Sequence, residues 1–180
     1  MVTRPAATEE DLLRTPDDEN FYELVDGEIR ASPRGGFRHS GVNVELMSRL
    51  ARVVNEGRLG DLCGPNTGFR LPGGNVRVPD GTFVAKGRFP DDRVPDGFGD
   101  LAPDLAIEVL CPDDRPAAIL DKVGEYLQAG VRLVWVIDPN GPAAAVYKSL
   151  TDVRSLGPED FLEGEDVVPG FRCRLADVID

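Results

Sequence analysis

Three residues of different character, Asp80, Glu108 and Lys122, could bring two carboxylates and an amine to one reacting centre. In "DLAIEVL", Leu105, Ile107 and Val109 alternate with Ala106, Glu108 and Leu110, so a strand here puts Glu108 on a largely apolar face. A carboxylate on such a face is costly to desolvate unless a cation, a metal or a hydrogen-bond network satisfies it. The plain alternative is a strand-end carboxylate that is solvated or paired with an arginine. Asp80 follows Pro79 at the start of "VPDGTFVA", where a strand leaves a turn, although Pro-Asp-Gly by itself signals only the turn. Lys122 borders the stripe Ile119, Val123, Tyr126 and Leu127 of a predicted helix, from which its long stem can reach over the strand carrying Glu108. By itself it is a boundary lysine that could pair with Glu125.

Two carboxylates and an ammonium at one sheet edge suit metal-assisted hydrolysis of a phosphodiester. Mg²⁺ or Mn²⁺ prefers oxygen ligands, and an ammonium can orient the attacking water or stabilise developing charge. This chemistry needs neither cysteine nor histidine. The intervals between the three residues are not a specific motif on their own.

The elements that must position them follow from periodicity. "TEEDLLRTP" has capping-box spacing between Thr8 and Asp11, which predicts a short N-terminal helix within residues 1–16. "FYELVDGEIRAS" places alternating apolar residues on both sides of Asp26-Gly27, a hairpin signal. Between His39 and Glu56, apolar residues from Val42 to Val54 recur every three or four positions and predict an amphipathic helix. "GFRLPGG" and "VRVPDGTFVA" read as short strands, residues 87–100 as a surface loop, and "DLAIEVL", "RPAAILDKVGEYLQAG" and "VRLVWVIDP" as strand, helix and strand in a parallel crossover. "AAAVYKSL" and "VVPGFRCRLADVI" read as further strands or edges around an acidic loop at 159–166. This order of elements gives an expected class of α/β (α+β).

The 180 residues, 41% hydrophobic and 29% charged, suit one domain over 1–180. No window supplies the ~18 apolar residues of a membrane span, and the N-terminus lacks a secretory pattern, so a cytoplasmic protein without membrane association is expected. Three scattered cysteines argue against a disulfide framework, and a single histidine, His39, rules out a histidine-rich zinc centre. The net charge of -12 disfavours nonspecific adhesion to nucleic acid, yet residues 30–93 hold 11 of the 20 basic residues and 6 of the 32 acidic ones. Arg30, Arg34, Arg38, Arg49 and Arg52, with Arg58, Arg70 and Arg77, could form a basic face for phosphates or simply a solvated surface.

The succession "YELVDGEI", "SPRGGFRHS", "RVPDGTFV", "APDLAIEVLCP", "LDKVGEYLQAGVRLVWVIDP" and "VVPGFRCRLADVI" resembles the Uma-two family of restriction-endonuclease-like proteins from about Phe21 to Ile179. That family belongs to the PD-(D/E)xK nuclease superfamily. The resemblance implies a restriction-endonuclease-like mixed central sheet flanked by helices and matches Asp80 to the motif aspartate, Glu108 to the acidic residue of the next strand, and Lys122 to a lysine moved onto the following helix. Leu110 stands where the superfamily has its lysine, a departure the family shares. The resemblance also matches Glu23 and His39 to family positions, Glu23 as a further metal or water ligand and His39 as a phosphate contact or proton shuttle; a hairpin surface residue and a helix-start residue are the plain alternatives. The implied activity is a Mg²⁺- or Mn²⁺-dependent DNA endonuclease without organic cofactor, acting as a homodimer so that paired sites cut both strands. A noncatalytic nucleic-acid-binding or protein-assembly module on the same fold is the second reading, because fold alone does not establish turnover.

Overall fold

The protein, described from a computed structural model over residues 5–179, opens with helix α1 (Glu9–Leu13). Its start is the expected capping box: the Thr8 hydroxyl accepts the Asp11 amide while the Asp11 carboxylate accepts the Thr8 amide. Strands β1 (Asn20–Val25) and β2 (Glu28–Pro33) form the hairpin signalled by Asp26-Gly27. Both turn residues have positive φ, 52° and 72°, as a two-residue turn between twisted strands requires. The long helix α2 (Phe37–Gly57) buries Val42, Leu46, Leu50 and Val54, the stripe that its period of three and four residues predicts.

Next come β3 (Gly60–Cys63), β4 (Phe69–Arg70), β5 (Val76–Arg77) and β6 (Gly81–Ala85). Residues 87–100 contain only the short 3-10 turn Pro90–Asp92 and an isolated bridge between Phe69 and Gly99. Strand β7 (Leu105–Val109), helix α3 (Pro116–Gln128) and strand β8 (Leu133–Asp138) follow, and β7 and β8 pair in parallel, the predicted crossover. The chain continues through β9 (Ala143–Tyr147), β10 (Val153–Leu156), β11 (Phe161–Glu163), β12 (Arg172–Arg174) and α4 (Ala176–Ile179).

The central sheet is mixed, in the order β10-β9-β8-β7-β6-β3, with only β7 and β8 parallel. A four-stranded antiparallel sheet, β2-β1-β5-β4, and the ribbon β11-β12 flank it. Alternation along β7 sorts the two cores. Leu105, Ile107 and Val109 join Leu46, Leu50 and Val54 of α2 on one face, whereas Ala106 joins Val123 and Tyr126 of α3 on the other. Glu108 shares the face of Ala106 and therefore lies under α3.

The sequence reading differs from the fold in its shortest elements. Strands β3 and β10 carry no clear alternation over four residues, and β11 sits inside the run expected to be an acidic loop. The end of "RCRLADVI" closes as helix α4 rather than a strand, because a single turn buries Ala176, Val178 and Ile179 against the core.

Candidate active site

The site forms where the end of β7, the start of β6, helix α3 and the small sheet meet. Strands β6 and β7 pair antiparallel with Gly81 opposite Ile107, so extending the register by one residue sets Asp80 opposite Glu108. Lys122, on the second turn of α3, reaches down to Glu108: its Nζ lies 2.9 Å from Oε1 and 3.0 Å from Oε2. The same ammonium is 3.1 Å from Oε1 of Glu23 on β1. One turn further along α3, the Tyr126 hydroxyl donates to Glu108 Oε1 at 2.7 Å. Asp80, Glu108, Lys122 and Glu23 are thus gathered in one place, although they come from three strand regions and a helix.

Asp80 is anchored separately. Its Oδ2 accepts the Val109 amide at 2.8 Å and lies 3.2 Å from His39 Nε2, and its carbonyl accepts Asn43 Nδ2 at 2.9 Å. His39 and Asn43 occupy one face of the first two turns of α2, which carries them to the end of β6. His39 is held in turn by the backbone before the helix. A Cβ built on Gly35 would come within 2.2 Å of His39 Nδ1, so only glycine lets the imidazole lie there. Gly35→Ala is expected to push His39 off Asp80 and destabilise the protein by ~1–3 kcal/mol, the usual cost of overpacking; urea unfolding measures the loss, and the histidine ring resonances measure the displacement.

Electrostatics set the protonation states. Burial pushes Glu108 up to about 7, and the charges of Asp80 and Glu23 add to this against the opposing pull of Lys122 and Tyr126. Burial works to lower Lys122, but Glu108 and Glu23 outweigh it and hold the ammonium firmly charged. Burial works to raise Glu23 as well, yet Lys122, Arg77 and the Val78 amide leave it below the usual carboxylate range. His39 is raised by its hydrogen bond to Asp80, with burial opposing.

A divalent cation can be tested against this donor set. Among the described residues, no three His, Cys, Asp or Glu side chains stand in an arrangement that could hold a metal by themselves. Two carboxylates at neighbouring strand positions nevertheless suit a hard ion of the Mg²⁺ type, which keeps several waters and takes only one or two carboxylates beside substrate phosphates. The charges of Asp80 and Glu23, which add to burial in raising Glu108, are charges such an ion would offset. An orphaned acceptor also lies beside Asp80, since Asn43 Oδ1 is buried without a partner among the described residues. Glu23 is as fully engaged as Glu108: its oxygens meet the Val78 amide at 2.8 Å, Arg77 at 2.8 Å and Lys122 at 3.1 Å, while those of Glu108 meet Lys122 and Tyr126.

Four residues of this constellation escaped the sequence reading. Tyr126 looked like part of an apolar stripe, though its place four residues after Lys122 puts the two on one face of α3. Asn43 carried no local signal, and Glu125, read as a possible partner of Lys122, is bound by Arg77 instead. Arg77, counted with the basic surface, is buried and bound to Glu23 and Glu125. Arg70 is likewise spent on a forked pair with Glu9 at 2.7 Å per bond.

The five candidate phosphate arginines occupy two places. Arg30 lies opposite Glu23 in the β1-β2 pair and so shares its face, and Arg34 sits between the hairpin and Gly35, 3.3 Å from Asp17. Arg38, Arg49 and Arg52 fall on a flank of α2 instead. There Arg38 and Arg49 donate to the Ile179 and Asp177 carbonyls of α4, and Arg52 is exposed. Lys86 follows the opposite end of β6 from Asp80, a strand's length from the site.

Comparison with known proteins places this geometry in a class. A crystal structure of a putative nuclease belonging to DUF820 from Anabaena variabilis superposes with a TM-score of 0.83, covering 96% of this chain and 97% of the other at 22% sequence identity, which establishes a shared fold. No curated protein matches. Residues 9–176 match the Uma2 family, described as "putative restriction endonuclease", and the chain belongs to that family. Among the described residues, no helix is long and apolar enough to cross a membrane.

Proposed function

We propose that this protein is a divalent-metal-dependent endonuclease that hydrolyses phosphodiester bonds in DNA. The observation that carries the reading is the Lys122 ammonium at 2.9 Å from Glu108, on the strand position opposite Asp80. Asp80 and Glu108 would hold Mg²⁺ or Mn²⁺, which when bound supplies a Lewis acid for the phosphate and an acidified water. Lys122 stays protonated beside the two carboxylates and offers N–H donors to an attacking water or to charge growing on the phosphate oxygens. Glu23 and Tyr126 orient Lys122 and Glu108, and His39 keeps Asp80 aimed while presenting an imidazole toward the substrate side. Arg30 and Arg34 are the arginines best placed for the DNA backbone, and a homodimer would present two such sites to opposite strands.

The test is a cleavage assay on supercoiled, linear and single-stranded DNA with Mg²⁺, Mn²⁺ or EDTA, with Glu108→Ala as the control. Metal-dependent nicking that Glu108→Ala abolishes supports the proposal. Equal nicking by both proteins would mean a contaminant. One observation favours a noncatalytic binding module: both Glu108 oxygens are already engaged by Lys122 and Tyr126, as in a purely structural ion-pair network. Salt-sensitive DNA binding without turnover under any metal would select that reading. In either case, reversing the charge of Arg30 and Arg34 together is expected to weaken DNA binding and flatten its salt dependence by about two ion equivalents.

A further inference from the structure

We infer that Arg77 is a positioning residue for Lys122, acting through a closed ring of ion pairs that ties the small sheet to helix α3. Arg77 is on β5, and all three of its nitrogens are used. Its Nε donates to Glu125 Oε2 at 2.8 Å and its Nη2 to Glu125 Oε1 at 2.5 Å, a forked pair, while its Nη1 donates to Glu23 Oε2 at 2.8 Å. The other Glu23 oxygen faces Lys122 at 3.1 Å. Glu125 and Lys122 are three residues apart on α3, so the ring runs from Arg77 to Glu23, to Lys122, along one helical turn to Glu125, and back to Arg77. Asn75 Nδ2 supports the Glu125 corner at 3.1 Å.

The arrangement has a directional consequence. Lys122 has a flexible four-carbon stem and three rotatable donors, so one carboxylate partner does not define where its ammonium points. A second partner, Glu23, does so provided that Glu23 itself cannot swing. The planar guanidinium of Arg77, a residue only 5% exposed, opposes that swing by binding Glu23 and Glu125 at once. A glue function would need one pair between sheet and helix, whereas this ring fixes the carboxylate that aims the ammonium at Glu108.

This inference rests on the proposed nuclease reading for its catalytic consequence but has a readout of its own. The chain contains three lysines, Lys86, Lys122 and Lys148, so ammonium ¹⁵N,¹H correlations from lysine-labelled protein are readily assigned. In the wild type without metal, the Lys122 ammonium is expected to give a sharp, slowly exchanging signal. Arg77→Gln should accelerate that exchange by about tenfold or more, consistent with the loss of a buried charged hydrogen-bond partner. It should also lower kcat by about 100-fold with KM within twofold, as a displaced catalytic group does. Should Arg77→Gln not fold, Glu125→Gln, which keeps the Arg77 to Glu23 contact, is expected to show the same pattern at smaller amplitude. An unchanged Lys122 signal in folded Arg77→Gln or Glu125→Gln, or a KM effect at constant kcat, overturns the inference. A wild type that cleaves no DNA removes the nuclease reading, and the Lys122 exchange rate still decides the positioning.

Discussion

Lys122→Met is expected to lower the rate of metal-dependent DNA cleavage by about 10²–10⁴-fold, the range for removing a positioned group that moves a proton or stabilises charge. Metal affinity, measured by calorimetry, should change little, because methionine removes no oxygen ligand. The substitution has a second consequence. Lys122 is 2.9 Å from Glu108 and 3.1 Å from Glu23, both buried, so methionine leaves two carboxylates short of a cation. Breaking a buried pair in this way costs roughly 3–5 kcal/mol of stability, which urea unfolding without metal will show. Activity must therefore be measured well below the unfolding midpoint. Wild-type turnover by folded Lys122→Met would make this residue a structural cation. Lys86 could not take over its role, since it lies beyond the far end of β6.

Asp80→Asn separates binding from chemistry in the opposite sense. Asparagine retains an oxygen to accept the Val109 amide, so the junction between β6 and β7 should survive. The charge is lost, and with it the stronger part of an oxygen ligand for a hard cation. Mn²⁺ affinity is expected to fall by at least the ~10–100-fold that removing a supporting partner costs at other metal sites, and cleavage should fall with it and recover only partly at high Mn²⁺. Undiminished Mn²⁺ binding by this variant would end the assignment of Asp80 as a ligand. His39, now beside a neutral amide oxygen, should lose the charge and the charge-assisted strength of the hydrogen bond that raise it, so its imidazole should titrate at lower pH than in the wild type.

Much of this arrangement is legible in the sequence. Alternation along "DLAIEVL" put Glu108 on the face opposite Ile107, and the two cores divide along that line. The stripe on α3 placed Lys122 beside Val123 and Tyr126, facing the strand it was expected to cover. The Asp26-Gly27 hairpin and the capping box at Thr8 are local signals, read correctly because the groups that satisfy them lie within a few residues. The basic segment illustrates the converse. Charge counting grouped Arg70 and Arg77 with the surface arginines, but burial and long-range partners convert both into internal ties.

Periodicity reports which face of an element a residue occupies, and it therefore determined the strand, helix and strand of the parallel crossover, the strand position of Glu108 and the helical position of Lys122. It cannot report which residue of another element meets that face. The hydrogen-bond partners of Glu23, Arg77 and Asp80 lie from 29 to 55 residues away in sequence, and nothing local encodes a pairing over such a distance. Only the packing of α3 between the small sheet and β7 decided that Glu23 would hold Lys122, that Arg77 would be buried, and that Tyr126 would spend its hydroxyl on Glu108. The physical reason is that a buried charge must find its partner wherever the folded chain delivers one, so these contacts are set by the assembled core and not by the segment that carries the residue.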